Sequence, residues 1–222
     1  MSLSVITRSG LVTVFCAAVL GGQANPVSAQ ETGQTYTITS TSQSASGRAL
    51  VHEVLSLQPA GNRFRLRVSS ADGSMFSLPV ELTAQGQIAS DSQDGSVTCF
   101  NMAMGVLAHQ RDAGETADEP PSVFVRFFSS VVRIPLRVLA THTAGALRTI
   151  ALRGMSAGVV HDRQTATAAG IVIDATVAAE NGMLHDATFD EMQYVGAPAQ
   201  IIGRSTCVLK LALPGRPALT QT

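Results

Sequence analysis

The sequence has no tryptophan, two tyrosines and a single lysine, Lys210. So few aromatic residues argue against an outer-membrane barrel, whose strands carry aromatic girdles at both interfaces. The formal charge is −1, so bulk electrostatics gives no pull toward nucleic acid or anionic lipid. There is no phosphate-binding glycine loop, no H-E-x-x-H and no calcium-loop spacing, which leaves no motif for a nucleotide or metal cofactor. None is expected.

Long apolar runs are also missing. The longest, Leu11 to Leu20, is about half of the roughly 20 residues that a membrane span needs. Arg8 precedes it and is the only charge in the first thirty residues. Gly21, Gly22 and Pro26 follow, and then Val27-Ser28-Ala29, with small residues where signal peptidase reads them. This three-part pattern predicts a signal peptide over 1–29, cleaved after Ala29, and a periplasmic or secreted mature chain with no remaining span. The remaining residues, 30–222, suffice for one domain with a substantial core.

Cysteine is scarce too. Of three in the chain, Cys16 belongs to the leader, so Cys99 and Cys207 remain. An even pair in an oxidising compartment predicts a disulfide, and neither cysteine has the close partner a zinc site requires.

What the chain does have is alternation with period two, the mark of half-buried strands. Arg63, Arg65 and Arg67 fall on one face, Phe64, Leu66 and Val68 on the other. Ala71-Asp72-Gly73 then supplies a turn, and Phe76, Leu78, Val80 and Leu82 alternate with Ser77, Pro79 and Glu81. Pro79 lacks an amide donor, which puts its strand at an edge or a bulge. Further strands are expected around Tyr36 and Ile38, over 49–57, 123–127 and 134–138, and near 147–153, 171–178, 183–192 and 205–213. One helix, about 97–110, is predicted from Val97, Phe100, Met104 and Leu107 behind the capping run Asp94-Gly95-Ser96. The segment from Arg111 to Pro121 reads as an exposed acidic loop. Leu50-Val51-His52-Glu53 echoes Val159-Val160-His161-Asp162, each ahead of an Asp-Gly or Asn-Gly turn. Duplicated halves, 35–93 and 145–213, would explain the echo, and so would a chance match of two hairpins.

The expected fold is therefore mainly β: an antiparallel curled sheet, sandwich or partial barrel with one helix.

Candidate chemistry is thin. Gly154-Met155-Ser156-Ala157-Gly158 matches the G-x-S-x-G elbow of α/β-hydrolases, but the helix that should follow and the repeated crossovers of that fold are missing. It reads as a glycine-lined turn, with His185 and Asp174 the sole partners in the right order. His52-Glu53 and His161-Asp162 suggest a symmetric metal site, yet neighbours on a strand point to opposite faces and each pair offers one ligand at most. The arginine ladder reads as a solvated face balanced by Glu53 or Glu81, and the carboxylates Asp186, Asp190 and Glu191 as a solvated turn.

No catalytic role, metal or cofactor is assigned. The function expected is non-catalytic binding of a lipid or other hydrophobic ligand, with Phe64, Phe76, Phe100 and Met104 lining an apolar cavity. The alternative is an envelope structural or protein-interaction module, and a serine hydrolase using Ser156 stands behind both.

Overall fold

The structure, a computed structural model, describes residues 33–89, 94–112, 120–127, 130–162 and 165–212. The expected signal segment lies outside them. Among the described residues, eleven strands and one helix follow in chain order: β1 (Gln34–Ser44), β2 (Gly47–Ala60), β3 (Arg63–Ser70), β4 (Met75–Leu82), β5 (Ile88–Ala89), α1 (Gly95–Asp112), β6 (Ser122–Phe127), β7 (Ser130–Ala144), β8 (Leu147–Asp162), β9 (Thr165–Glu180), β10 (Met183–Val195) and β11 (Gln200–Leu211).

All the strands join one antiparallel sheet in the order β5-β4-β3-β2-β1-β11-β10-β9-β8-β7-β6. Two meanders are thus sewn together where β1 pairs with β11, from Tyr36↔Leu211 to Ser44↔Gly203. The turns are those the sequence marks: Gly73 has φ +87°, and Asn181-Gly182 has positive φ at both positions, as a type I′ hairpin requires. Pro79 sits in β4, whose outer side pairs with β5 only at Glu81 and Leu82, so the missing amide costs no ladder bond.

Flat, a sheet of this many strands would be about 48 Å wide, given strand spacings near 4.8 Å. A helix about 10 Å across could not reach both of its edges. Yet α1 packs on β2, β1, β11, β10, β9 and β6, and bonds to β5 through a side chain. The sheet must curl around the helix. Bulges at Val138/Ala140, Leu184/Asp186 and Gln193/Tyr194 add local bend to the long strands. The two edges are not bonded to each other, so the curl stops short of a barrel.

Alternation then decides the core. Inward-facing Leu55, Leu66, Ile134, Leu152, Ile171 and Leu209 surround Val97, Phe100, Ala103 and Val106 of the helix, all buried. Tyr36 packs its ring against Phe100 with centroids 5.4 Å apart. Its hydroxyl donates to Gln34 Oε1 at 2.8 Å, and burial pushes the phenol far above its ordinary pKa.

The helix starts where predicted. Asp94 Oδ1 accepts from the amides of Ser96 (2.9 Å) and Val97 (3.2 Å). It runs to Asp112, so the expected loop begins later than Arg111, and its acidic middle lies outside the described residues. Cys99 and Cys207 form a disulfide, with Cα atoms 6.4 Å apart, that ties the helix to β11.

Candidate functional site

A curled but unclosed sheet leaves a seam, and the helix lies along it. On one side β5 is only two residues long. Its Ile88 amide donates to Asn101 Oδ1 at 2.7 Å, and Asn101 Nδ2 returns a bond to Ile88 O at 3.0 Å. Gln87 Nε2 adds a bond to Asn101 O at 2.9 Å. The amide side chain of Asn101 stands in for the strand that β5 lacks, which blunts an exposed edge. Gly105, one turn on, admits this arrangement, because a Cβ there would lie 2.9 Å from Gln87 Nε2.

Beyond Gly105 the seam opens into a cleft of about 560 Å³. Its floor is the C-terminal half of α1, with Ala108 and His109. Gln85 and Gln87 form one wall, and Pro120, Pro121 and Ser122 at the start of β6 form the other. Phe124 and Arg133 complete it from the β6–β7 edge, where the two residues pair directly. Phe124 leaves 62% of its surface exposed, so its ring is accessible at the mouth of the cleft. The cleft joins apolar surface (Phe124, Ala108, Pro121) to a cation, an imidazole and two amides. That lining suits an amphiphile with a polar head and an apolar body.

The four residues expected to line a cavity lie elsewhere. Phe100 is fully buried against Tyr36, while Phe64, Phe76 and Met104 are partly buried and pack on the same core. None of them lines the cleft. Phe100 and Met104 belong to the helix, whereas Phe64 and Phe76 reach the same core from β3 and β4.

The serine motif needs correction. Residues 154–158 are no turn; they continue β8, paired with β9 from Gly154↔Ile173 to Gly158↔Ala169. Gly154 is required by crowding: a Cβ would lie 2.6 Å from Leu136 Cδ2, 2.7 Å from Ile134 Cγ2 and 2.9 Å from Pro135 O. Ser156 pairs with inward-facing Ile171, whereas Asp174 faces outward beside Arg153 at 3.0 Å. His185 bonds Asp186 at 2.8 Å. The three residues of the imagined triad are not brought together.

His52 and Glu53 do point apart. His52 meets Thr39 on the outer face (3.1 Å), while Glu53 turns inward to accept from Ser70 Oγ (2.8 Å) and from Ser96 Oγ at the head of the helix. Glu53 therefore cannot balance the arginine ladder; Glu81 does, at 3.1 Å from Arg63. The side chains of His161 and Asp162 lie outside the described residues, and no cluster of metal-ligating side chains occurs among the described ones.

The three late carboxylates are split between faces instead of sharing a solvated turn. Asp190 accepts from Thr206 on the outer face at 2.6 Å. Glu191 faces inward, opposite Ser205 and Ile173, where burial raises its pKa against a bond from Gln193.

No protein-family model and no curated protein sequence matches this chain. Among solved structures, a likeness is found to a crystal structure described as an outer membrane lipoprotein-sorting protein domain from Vibrio parahaemolyticus. It covers 86% of this chain and 88% of that one, at 8% identity and a TM-score of 0.23. Among the described residues no helix is long and apolar enough to cross a membrane.

Proposed function

We propose that the protein is an exported, non-catalytic β-domain that holds a hydrophobic or amphiphilic small molecule at the seam between β5 and β6. The cleft of about 560 Å³ supports this reading most directly. Its size falls within the range of pockets for small ligands, roughly 300–1,000 Å³. Arg133 and His109 would receive an anionic or polar head, and Phe124 would cover the apolar body. Export rests on the three-part N-terminus, and a ligand poorly soluble in water is one that an exported carrier must shield.

Titration with a dansyl-labelled fatty acid tests the reading. Saturable, blue-shifted emission is expected from the wild type. Phe124→Ser removes a mostly exposed ring and should leave the fold intact while weakening the probe about tenfold. Absence of saturation, or a titration indifferent to Phe124→Ser, would count against the seam as the site.

A second reading is favoured by one observation: among the described residues β6 pairs with β7 alone, which leaves its other edge for a strand from a partner protein. Crosslinking in an envelope extract distinguishes the two. Capture through β6 supports the interaction module, and a partnerless monomer removes it.

A further inference from the structure

The outer face of the sheet is not uniformly polar. Register places Met155, Val172, Met192, Arg204, Gln43 and Arg48 in one continuous row across β8, β9, β10, β11, β1 and β2. Toward the end where β8 leads into β9 and β10 into β11, the next row runs Ala157, Gly170, Tyr194 and Ile201. Val159 and Ala168 follow beyond it. These rows hold no carboxylate. Met155 and Ile201 each expose 65% of their surface and Val159 exposes 57%, so the large side chains stand free on the convex side. A Cβ on Gly170 would lie 2.3 Å from the Tyr194 hydroxyl, so the tyrosine lies across the glycine and keeps the patch level.

The charges around this patch are as ordered as the patch itself. One row inward, Arg153 pairs with Asp174, and Asp190 bonds Thr206, so those carboxylates are already engaged. Arg48 and Arg204, both exposed, flank the patch in its own row. Neither takes part in an ion pair among the described residues. Apolar side chains of intermediate depth, a tyrosine among them and unpaired arginines at the border form the pattern of a surface that rests on anionic lipid headgroups.

We infer that this end of the β8–β11 outer face docks on an anionic phospholipid bilayer, with Met155, Val159 and Ile201 entering the headgroup region and Arg48 and Arg204 meeting lipid phosphates. The attraction is local, since the chain as a whole carries almost no net charge. A second copy of the chain fits less well. Two convex faces touch along a strip, whereas a stable pair needs about 800 Å² from each partner. A bilayer deforms to meet a convex surface. This inference is independent of the seam cleft, to which none of these residues belongs.

The absence of tryptophan makes a direct test available. In the full chain, Met155→Trp places a sole reporter in the patch. Gln58→Trp places one on the exposed outer face at the opposite end of the sheet. With vesicles of equal parts phosphatidylglycerol and phosphatidylcholine, emission from Met155→Trp is expected to shift blue and to be quenched by brominated lipid, while Gln58→Trp stays unchanged. Arg48→Gln and Arg204→Gln should each weaken vesicle binding roughly fivefold at low salt. Ile201→Asp should abolish it while leaving the dansyl fatty acid titration intact, which separates this face from the seam. The inference is overturned if neither reporter responds or if both respond alike. It is also overturned if the Met155→Trp shift appears without vesicles and grows with protein concentration, which would assign the face to a second copy.

Discussion

Asn101 bonds both backbone polar groups of Ile88, at 2.7 and 3.0 Å, so one helical side chain completes the edge of the sheet. Two further consequences follow. The short strand β5 is tied to the helix although it pairs with β4 over only two residues, and this tie lies next to Gln87 and Gly105, where the cleft begins.

Replacing Asn101 with Ala leaves an amide and a carbonyl of Ile88 without partners in a part-buried site. The expected loss is about 2–3 kcal/mol, from one broken bidentate interaction and the desolvation it leaves uncompensated. Asn101→Asp should recover less than half, since a carboxylate accepts from the amide but cannot donate to the carbonyl. Urea unfolding of the three proteins measures this; equal stability would mean that the edge is held by something else.

The glycines of the serine motif should behave differently from one another. Gly154→Ala forces a methyl against Leu136, Ile134 and the Pro135 carbonyl, and about 1–3 kcal/mol of destabilisation is expected. Among the described residues nothing lies within 4 Å of a Cβ on Gly158, so Gly158→Ala should be neutral or slightly stabilising. A nucleophile elbow would give another pattern, in which Ser156→Ala abolishes an esterase activity. Thermal melts and an ester-hydrolysis assay on the three variants decide between these roles.

Reduction should weaken the fold considerably. The Cys99–Cys207 bond spans a sequence separation of 108 residues, and a loop of that size corresponds to roughly 4–5 kcal/mol in the chain-entropy account. Comparing oxidised protein with a Cys99→Ala/Cys207→Ala variant in guanidinium measures it. A change below about 1 kcal/mol would show that the helix is held by packing alone.

Glu191 gives a pH dependence of defined sign. Its folded pKa is raised above the ordinary glutamate value of 4.5, mainly by burial, so the native state binds its proton more tightly than the unfolded chain does. That contribution is fully present below pH 4.5 and is lost as pH rises through the higher folded pKa. Glu191→Gln should therefore raise the melting temperature at pH 7, with the advantage vanishing near pH 4. An unchanged difference across that range would contradict the assignment.

Much of this architecture is readable from residue order. Phe64, Leu66 and Val68 against Arg63, Arg65 and Arg67 announce a strand because inward and outward environments differ sharply there. Asp94 announces the helix start, and cysteine parity the disulfide. Strand ends are harder: β9 begins at Thr165, six residues before alternation becomes evident, because Ala166, Thr167 and Ala168 are too alike in size and polarity to mark a face. Gly154 reads as a turn residue because glycine serves both flexible corners and crowded sheet interiors; the positions of Leu136 and Ile134 tell these apart there. The cleft was not legible at all. Gln87, His109 and Pro121 meet only once the sheet has curled far enough to bring β5 and β6 to opposite sides of one helix, and no local pattern encodes that distance. The outer patch is similarly hidden, since Met155, Tyr194 and Ile201 become neighbours only through register.

Native mass spectrometry of the protein recovered from its own cells bears most directly on the seam. The account predicts a fraction carrying a small molecule of one mass class, reduced when Phe124 is replaced by Ser. Bare polypeptide mass in every preparation, with no adduct released by organic extraction, would contradict it.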